Sequence, residues 1–304
     1  MAKKQNYIWK NDRNFALDDY EKQQLYYVVE ANDIINKARH DLTARELKLM
    51  DFVISKIMPD DDKFHIIKTS MYELTKVLNI KQNGKNYADM AKSIGELRKK
   101  EVLIHDEERR TITQTGWVQS AEYHENGQVE IELSSKLAPH LLGLKNNYTQ
   151  HLLLDTTKLK SRYSILLYKL MRECDRDNGK SIAILQGTPE EFREWLGVPE
   201  SYEYKHFKEK VLKKAVEEIN LKIDDMDLEI LQGRYGRKVV QVEIHNNWTV
   251  SLKTRNSSMQ SLYISSAKAL KFFRFLLLFF LKIKSEIYSK YPEDTLLLIF
   301  YKSF

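Results

Sequence analysis

Cysteine is nearly absent: the 304 residues contain one, Cys174. No internal disulfide can form, and a reducing compartment fits. Cys174 sits within a run of helical periodicity, which predicts a small side chain in or beside the core. Proline and glycine are scarce, at 5 and 10 residues, so long flexible linkers are not expected. The start, Met1-Ala2-Lys3-Lys4-Gln5-Asn6, has no apolar stretch behind it, so no secretory signal is expected. Motifs for metal and nucleotide chemistry are also missing: no His-Glu-x-x-His, no Cys/His zinc spacing and no G-x-x-x-x-G-K-[S/T]. The eight histidines (His40, His65, His105, His124, His140, His151, His206 and His245) include no pair two residues apart. A His-hydrophobic-His metal pair, which would let one of the 17 tyrosines attack a phosphate, is therefore absent. Catalytic residues, metals and cofactors are not expected.

What is present is an ordinary globular composition, 42% hydrophobic and 30% charged, in a chain long enough for two domains. The net charge of +6 is compatible with a nucleic-acid partner, but its clustering says more than its sum.

The densest cluster lies in 202–220. At 100° per residue, Phe207, Val211, Leu212, Ala215 and Ile219 share one side of a helix. The opposite side carries His206, Lys210, Lys213 and Glu217, with Lys214 at its edge. An amphipathic helix whose exposed face is basic in its first turns suits the major groove of DNA. Two extended runs follow, Leu228–Leu231 and Val239–Ile244, around Gly233-Arg234-Tyr235-Gly236-Arg237-Lys238. A hairpin tipped by Arg234, Arg237 and Lys238 behind such a helix has the layout of a winged helix. Its tip would lie along the backbone or in the minor groove, where arginine is favoured.

The same order occurs earlier in the chain. Thr43-x-x-Glu46 and Ser70-x-x-Glu73 read as capping boxes, and Thr188-Pro189-Glu190-Glu191 as a strong helix start. Glu73-Leu74-x-x-x-Leu78-x-Ile80 matches Glu191-Phe192-x-x-x-Leu196-x-Val198. Each is preceded by a long helix and a short strand, and followed by a turn, a basic helix and a hairpin. A repeat of about 120 residues is two copies of a domain. A helix is expected over 17–30, a turn at Asn83–Asn86, and one long helix from Lys158 to Arg176. The predicted fold is α+β, two tandem winged-helix domains related by internal repeat. Its parts are an N-terminal extension (1–31), a first domain (32–146), a second domain (147–248) and a C-terminal tail (249–304).

The runs at 32–57 (NDIINKARHDLTARELKLMDFVISKI), 159–171 (LKSRYSILLYKLM), 188–220 and 236–246 (GRKVVQVEIHN) resemble the replication initiator proteins of iteron-containing bacterial plasmids. This is the theta-type Rep family of RepA, RepE and the pi protein, including its branch on plasmids of Gram-positive bacteria. The resemblance implies a cytoplasmic bacterial protein that binds tandem origin repeats, or iterons, in double-stranded plasmid DNA. It also implies a monomer–dimer equilibrium. Monomers would open the origin and recruit host DnaA and the replicative helicase, while dimers joined through the first domain would repress the protein's own gene. Most base reading would fall to the second domain and backbone contacts to the first.

Carried onto this chain, the second recognition helix spans Tyr202 to Lys214 and the wing is Arg234, Arg237 and Lys238. The first domain's equivalent helix spans Lys85 to Lys100, with Lys85, Asn86, Lys92, Ser93 and Lys99 as its DNA contacts. His206, Glu209, Lys210 and Lys213 are candidates for base edges, since lysine donates to guanine and glutamate accepts from cytosine. Lys205, Lys208, Lys214 and the three wing cations are candidates for phosphate contacts. The residues alone leave a tandem winged-helix transcriptional regulator as the alternative.

The tail departs from the family pattern. Leu270–Leu281 and Leu296–Tyr301 are strongly apolar, yet the longer run falls short of the about 20 residues that span a bilayer. A packed helix, a membrane-surface segment and a frame-altered end all fit it.

Overall fold

The computed structural model describes residues 20–249 apart from 59, 107–109 and 177; the N-terminal nineteen residues and the apolar tail lie outside the described residues. The described residues begin with a short helix, α1 (Tyr20–Gln24), and a strand, β1 (Tyr27–Ala31). The helix expected over 17–30 is thus corrected: the Tyr27-Val28-Val29-Glu30-Ala31 stretch is extended. It pairs antiparallel with β7 (Tyr148–Leu152), from Tyr27↔Leu152 to Ala31↔Tyr148. A strand partner 121 residues away in sequence overrides the local helical reading. The seam expected between 146 and 147 therefore falls beside a two-stranded ribbon with one strand on each side.

The first winged unit follows. A π turn (Asp33–Lys37) leads to α2 (Ala44–Ile54), opened by a full capping box: Glu46 N–H donates to Thr43 Oγ1 (3.3 Å) and Thr43 N–H to Glu46 Oε2 (2.7 Å). Strand β2 (Ile67–Ser70) runs into α3 (Met71–Val77). Here the expected second capping box is only half formed. Ser70 Oγ accepts from Glu73 N–H at 3.1 Å, but the Glu73 carboxylate turns inward to the Thr69 hydroxyl (2.9 Å) and Lys56 Nζ (3.4 Å). Helix α4 (Gly84–Lys99) starts inside the expected turn, because Asn83 Oδ1 caps Asn86 N–H at 2.8 Å. A hairpin of β3 (Glu101–Asp106) and β4 (Thr111–Gly116) then intervenes before β5 (Val118–Tyr123) and β6 (Gln128–Leu133) close the unit. After a 3-10 turn at Ser135–Leu137 and the one-turn α5 (Ala138–Leu141), the chain reaches β7.

The second unit repeats the plan. The expected helix from Lys158 to Arg176 is α7 (Arg162–Cys174), which starts four residues later, after a separate short helix, α6 (Leu153–Lys158). The break falls where Ser161 Oγ caps Tyr163 N–H at 3.2 Å and Glu218 takes the N–H groups of Lys160 and Ser161 at 2.8 and 3.1 Å. Strand β8 (Ala183–Gly187) and α8 (Pro189–Leu196) follow. A complete Thr188–Glu191 capping box opens α8, and Gly197, at φ +60°, ends it in the left-handed region. Helix α9 (Tyr204–Phe207), a π turn (Lys208–Leu212) and α10 (Lys213–Lys222) run on without a break, and β9 (Leu228–Tyr235) and β10 (Lys238–Asn246) form the last hairpin.

The repeat inferred from five matched elements is visible in the sheets. Both have first–third–second order, β2-β6-β5 in one unit and β8-β10-β9 in the other. Each unit buries one face of its third helix. Met90, Ile94 and Leu97 do so in the first; Phe207, Val211, Leu212, Ala215 and Ile219, the predicted set, do so in the second. Cys174 is half-buried beside the core, and burial pushes its thiol up to about 12, so it is not a reactive thiolate.

Charged groups fasten α7 to β1 and α2, and α8 to the segment ahead of α2. Lys169 on α7 donates to both Glu30 oxygens (2.9 and 3.1 Å) and to Asp51 Oδ1 (2.6 Å), and all three side chains are buried. Burial disfavours the ammonium, but Asp51 and Glu30 outweigh it and hold Lys169 above the usual range. Burial likewise pushes the Asp51 carboxyl up, and the Lys169 charge outweighs it and holds that group well below normal. Arg39 reaches Glu194 at 3.1 Å, and Asn36 donates to Glu173 at 2.8 Å.

His40 sits at the same junction, edge-on to Trp117 at 5.3 Å. Burial, then the nearby Lys169, Arg162, Arg39 and Lys100 cations, lower its pKa from 6.5 to about 3. Between those values the unfolded chain binds a proton that the folded chain does not. Stability is therefore expected to fall as pH drops from 6.5 towards 4, by up to about 1.4 kcal/mol per pH unit. Urea midpoints measured against pH should show a flatter limb in this window for His40→Gln; an unchanged slope would remove His40 as the cause.

Candidate nucleic-acid interface

The helix formed by α9, the π turn and α10 presents its cations outward because the opposite face is committed to the core. Lys205, His206, Glu209, Lys210, Lys213, Lys214 and Glu217 are exposed. The π turn at Lys208–Leu212 widens the helix within this basic segment, a distortion found often where helices do work. Glu209 and Lys213, four residues apart, form an ion pair at 2.8 Å. The hydrogen bond from Lys213 holds the Glu209 carboxyl below the usual range. The two offer a joint donor–acceptor pair to a base edge.

Lys208 is half-buried and donates to Gln232 Oε1 on β9 at 3.2 Å. Gln232 in turn donates from Nε2 to the Tyr204 hydroxyl. Lys208 thereby ties the wing to the first turns of the helix. Tyr202 lies ahead of the helix, packed on the core, and its carbonyl accepts from Arg193 Nη2 at 3.0 Å. Arg234, Arg237 and Lys238 are all exposed around the hairpin tip. The tip turns at Gly236, at φ +60°, where a side chain would be strained.

In the first unit, Lys85, Lys92 and Lys99 are exposed and recur every seven residues, which places them on one stripe of α4. Lys99 is shared with Glu96 at 3.2 Å. Asn86 uses its side-chain amide on the Lys81 carbonyl at 2.6 Å. Ser93 is a correction: it is buried, and its hydroxyl donates to the Asp89 carbonyl at 2.9 Å, so it does not reach the exposed face. The first unit's hairpin differs from the second's in charge. Around its tip stand Glu122, Glu125 and Glu130, and such a wing repels phosphate. Glu122, His124 and Glu130 bring potential metal-ligating atoms within 4.8 Å of one another, but the Lys68 ammonium already lies 2.9 Å from Glu130. No described helix is long and apolar enough to cross a membrane.

Two residues of the interface escaped the sequence reading. Gln232 links wing to helix, and only its strand alternation with Ile230 and Arg234 hinted that it faces the helix. Tyr235, at the wing tip, is 84% exposed; an aromatic in an extended run ordinarily signals core.

The arrangement is two helix-plus-hairpin units, one with a basic helix and a basic wing. Comparison with known proteins agrees with it. The family model described as "Initiator Replication protein, WH1" matches residues 27–172, and "Initiator Rep protein, WH2" matches 188–246. Among solved structures, that of the Pi initiator protein in complex with iteron DNA superposes with a TM-score of 0.62 and 16% identity, covering 73% of this chain and 97% of that one. Domains 2 and 3 of RctB align with a TM-score of 0.43 and 10% identity, over 69% of this chain and 84% of that one. The two winged-helix matches, in order and together spanning most of the described residues, show that this chain belongs to the initiator replication protein family.

Proposed function

We propose that the protein starts plasmid replication by binding iterons in double-stranded origin DNA. In this reading the second unit enters the major groove with the helix from Tyr204 to Lys222. His206, Glu209, Lys210 and Lys213 face base edges; Lys205, Lys214, Arg234, Arg237 and Lys238 hold phosphates. Lys85, Lys92 and Lys99 of the first unit add backbone contacts. The observation that carries the proposal is the exposed basic helix face tied through Gln232 to a basic wing, in a chain of an initiator family. The Pi initiator protein, with the same fold, is solved on iteron DNA.

No catalytic step is assigned to this cytoplasmic protein. Origin opening would draw on binding energy and on host DnaA and helicase. Dimers joined through the first unit would repress the gene.

A gel shift on the DNA upstream of the gene tests this. The expected result is a ladder with as many complexes as there are direct repeats of about twenty base pairs. One complex on a single palindrome would instead favour a transcriptional regulator.

A further inference from the structure

Tyr235 is the most exposed of the described large hydrophobic side chains, at 84%. Its side chain makes no hydrogen bond or ring contact to a described residue. It closes β9 opposite Lys238, with Gly236 turning the chain at φ +60°. Arg234, Arg237 and Lys238 surround it, all exposed. A lone tyrosine ringed by cations at a hairpin tip, 84% exposed, adds little to the packing of the described residues.

The middle of the same hairpin is fixed to the start of the helix by the Lys208–Gln232 and Gln232–Tyr204 hydrogen bonds. A helix seated in the major groove thus places the wing tip over the adjacent backbone and minor groove. There arginine is attracted by the groove's negative potential, and an inserted ring can separate neighbouring base pairs.

We propose that Tyr235 enters the minor groove beside the site read by the helix and partly unstacks one base step. The favoured ligand is duplex DNA with a flexible pyrimidine–purine step, TA or CA/TG, under the wing tip. Arg234 and Arg237 hold the backbones on either side while the ring acts as the wedge. The inference rests on the DNA-binding reading above and adds to it a residue that deforms the repeat without reading it.

The test uses the full chain and a duplex carrying one upstream repeat, with 2-aminopurine replacing each adenine in turn. On binding, the wild type should raise fluorescence several-fold at one position and leave the others nearly unchanged. Tyr235→Ala should lose that rise and bind about 5- to 20-fold more weakly, with an unchanged melting temperature because the side chain is exposed. Tyr235→Phe should keep both properties, since the ring and not the hydroxyl acts. An unchanged fluorescence profile in Tyr235→Ala, with or without weaker binding, overturns the wedge. If the wild type bound the repeat and a scrambled duplex equally, the sequence-specific reading itself would fail; that result would come from the wild type alone, before any variant was compared.

Discussion

Replacing Lys169 with alanine is expected to destabilise the protein by about 3–5 kcal/mol. The reason is what it leaves behind. Glu30 from β1 and Asp51 from α2 both contact the Lys169 ammonium in a buried site, and the nearest Asp51 contact is 2.6 Å. Without the cation, two carboxylates face each other away from water. One would have to take up a proton or the site would have to open. His151 lies 3.8 Å from Asp51 but makes no hydrogen bond to it, so it is a poor substitute.

Urea unfolding would measure the loss. Combining Lys169→Met with Glu30→Gln and Asp51→Asn should recover part of it, because the penalty lies in uncompensated charge. A loss below about 1 kcal/mol for Lys169→Ala, the range of exposed pairs, would mean that the cluster does not hold α7 against β1 and α2.

The second large effect concerns DNA. Changing Lys205, Lys214, Arg237 and Lys238 to alanine together should lower affinity for any duplex by on the order of 10³-fold near 0.1 M salt. The slope of log K against log salt should shrink by about 3–4 units, as each lost phosphate contact retains one more counterion on the DNA. All four side chains are exposed, so the melting temperature should hold. The preference for the repeat over a scrambled duplex should survive as well, because phosphate contacts position without specifying. An unchanged slope would show that these cations do not touch the backbone.

Most of the second unit was legible because its signals are local. The helical period named five of the six buried residues of the helix from Tyr204 to Lys222, missing Val216, and Thr188 with Pro189 and Glu191 marked the start of α8. The Gly236 turn between β-branched runs marked the wing. What failed depended on distant partners. Tyr27–Ala31 has no strand alternation, and its extended form is set by β7 and by the pairing of Glu30 with Lys169. Leu159-Lys160-Ser161 keeps helical periodicity, yet Glu218, 57 and 58 residues further on, captures the backbone N–H groups there and delays the start of α7. Ser93 lies near the edge of its helix's polar arc; bonding back to the Asp89 carbonyl lets it be buried at little cost. The tie from Lys208 to Gln232 was not legible because the two sit on different elements.

The most direct test of the central claim is a binding titration of the wild-type chain. One upstream repeat and a scrambled duplex of equal length would be compared across a series of salt concentrations by fluorescence anisotropy. The account predicts two nearly parallel lines of log K against log salt, since both duplexes meet the same cations. The repeat should lie about 10³-fold or more above the scramble. Coincident lines would contradict it: the helix from Tyr204 to Lys222 would then be an electrostatic surface that reads no sequence.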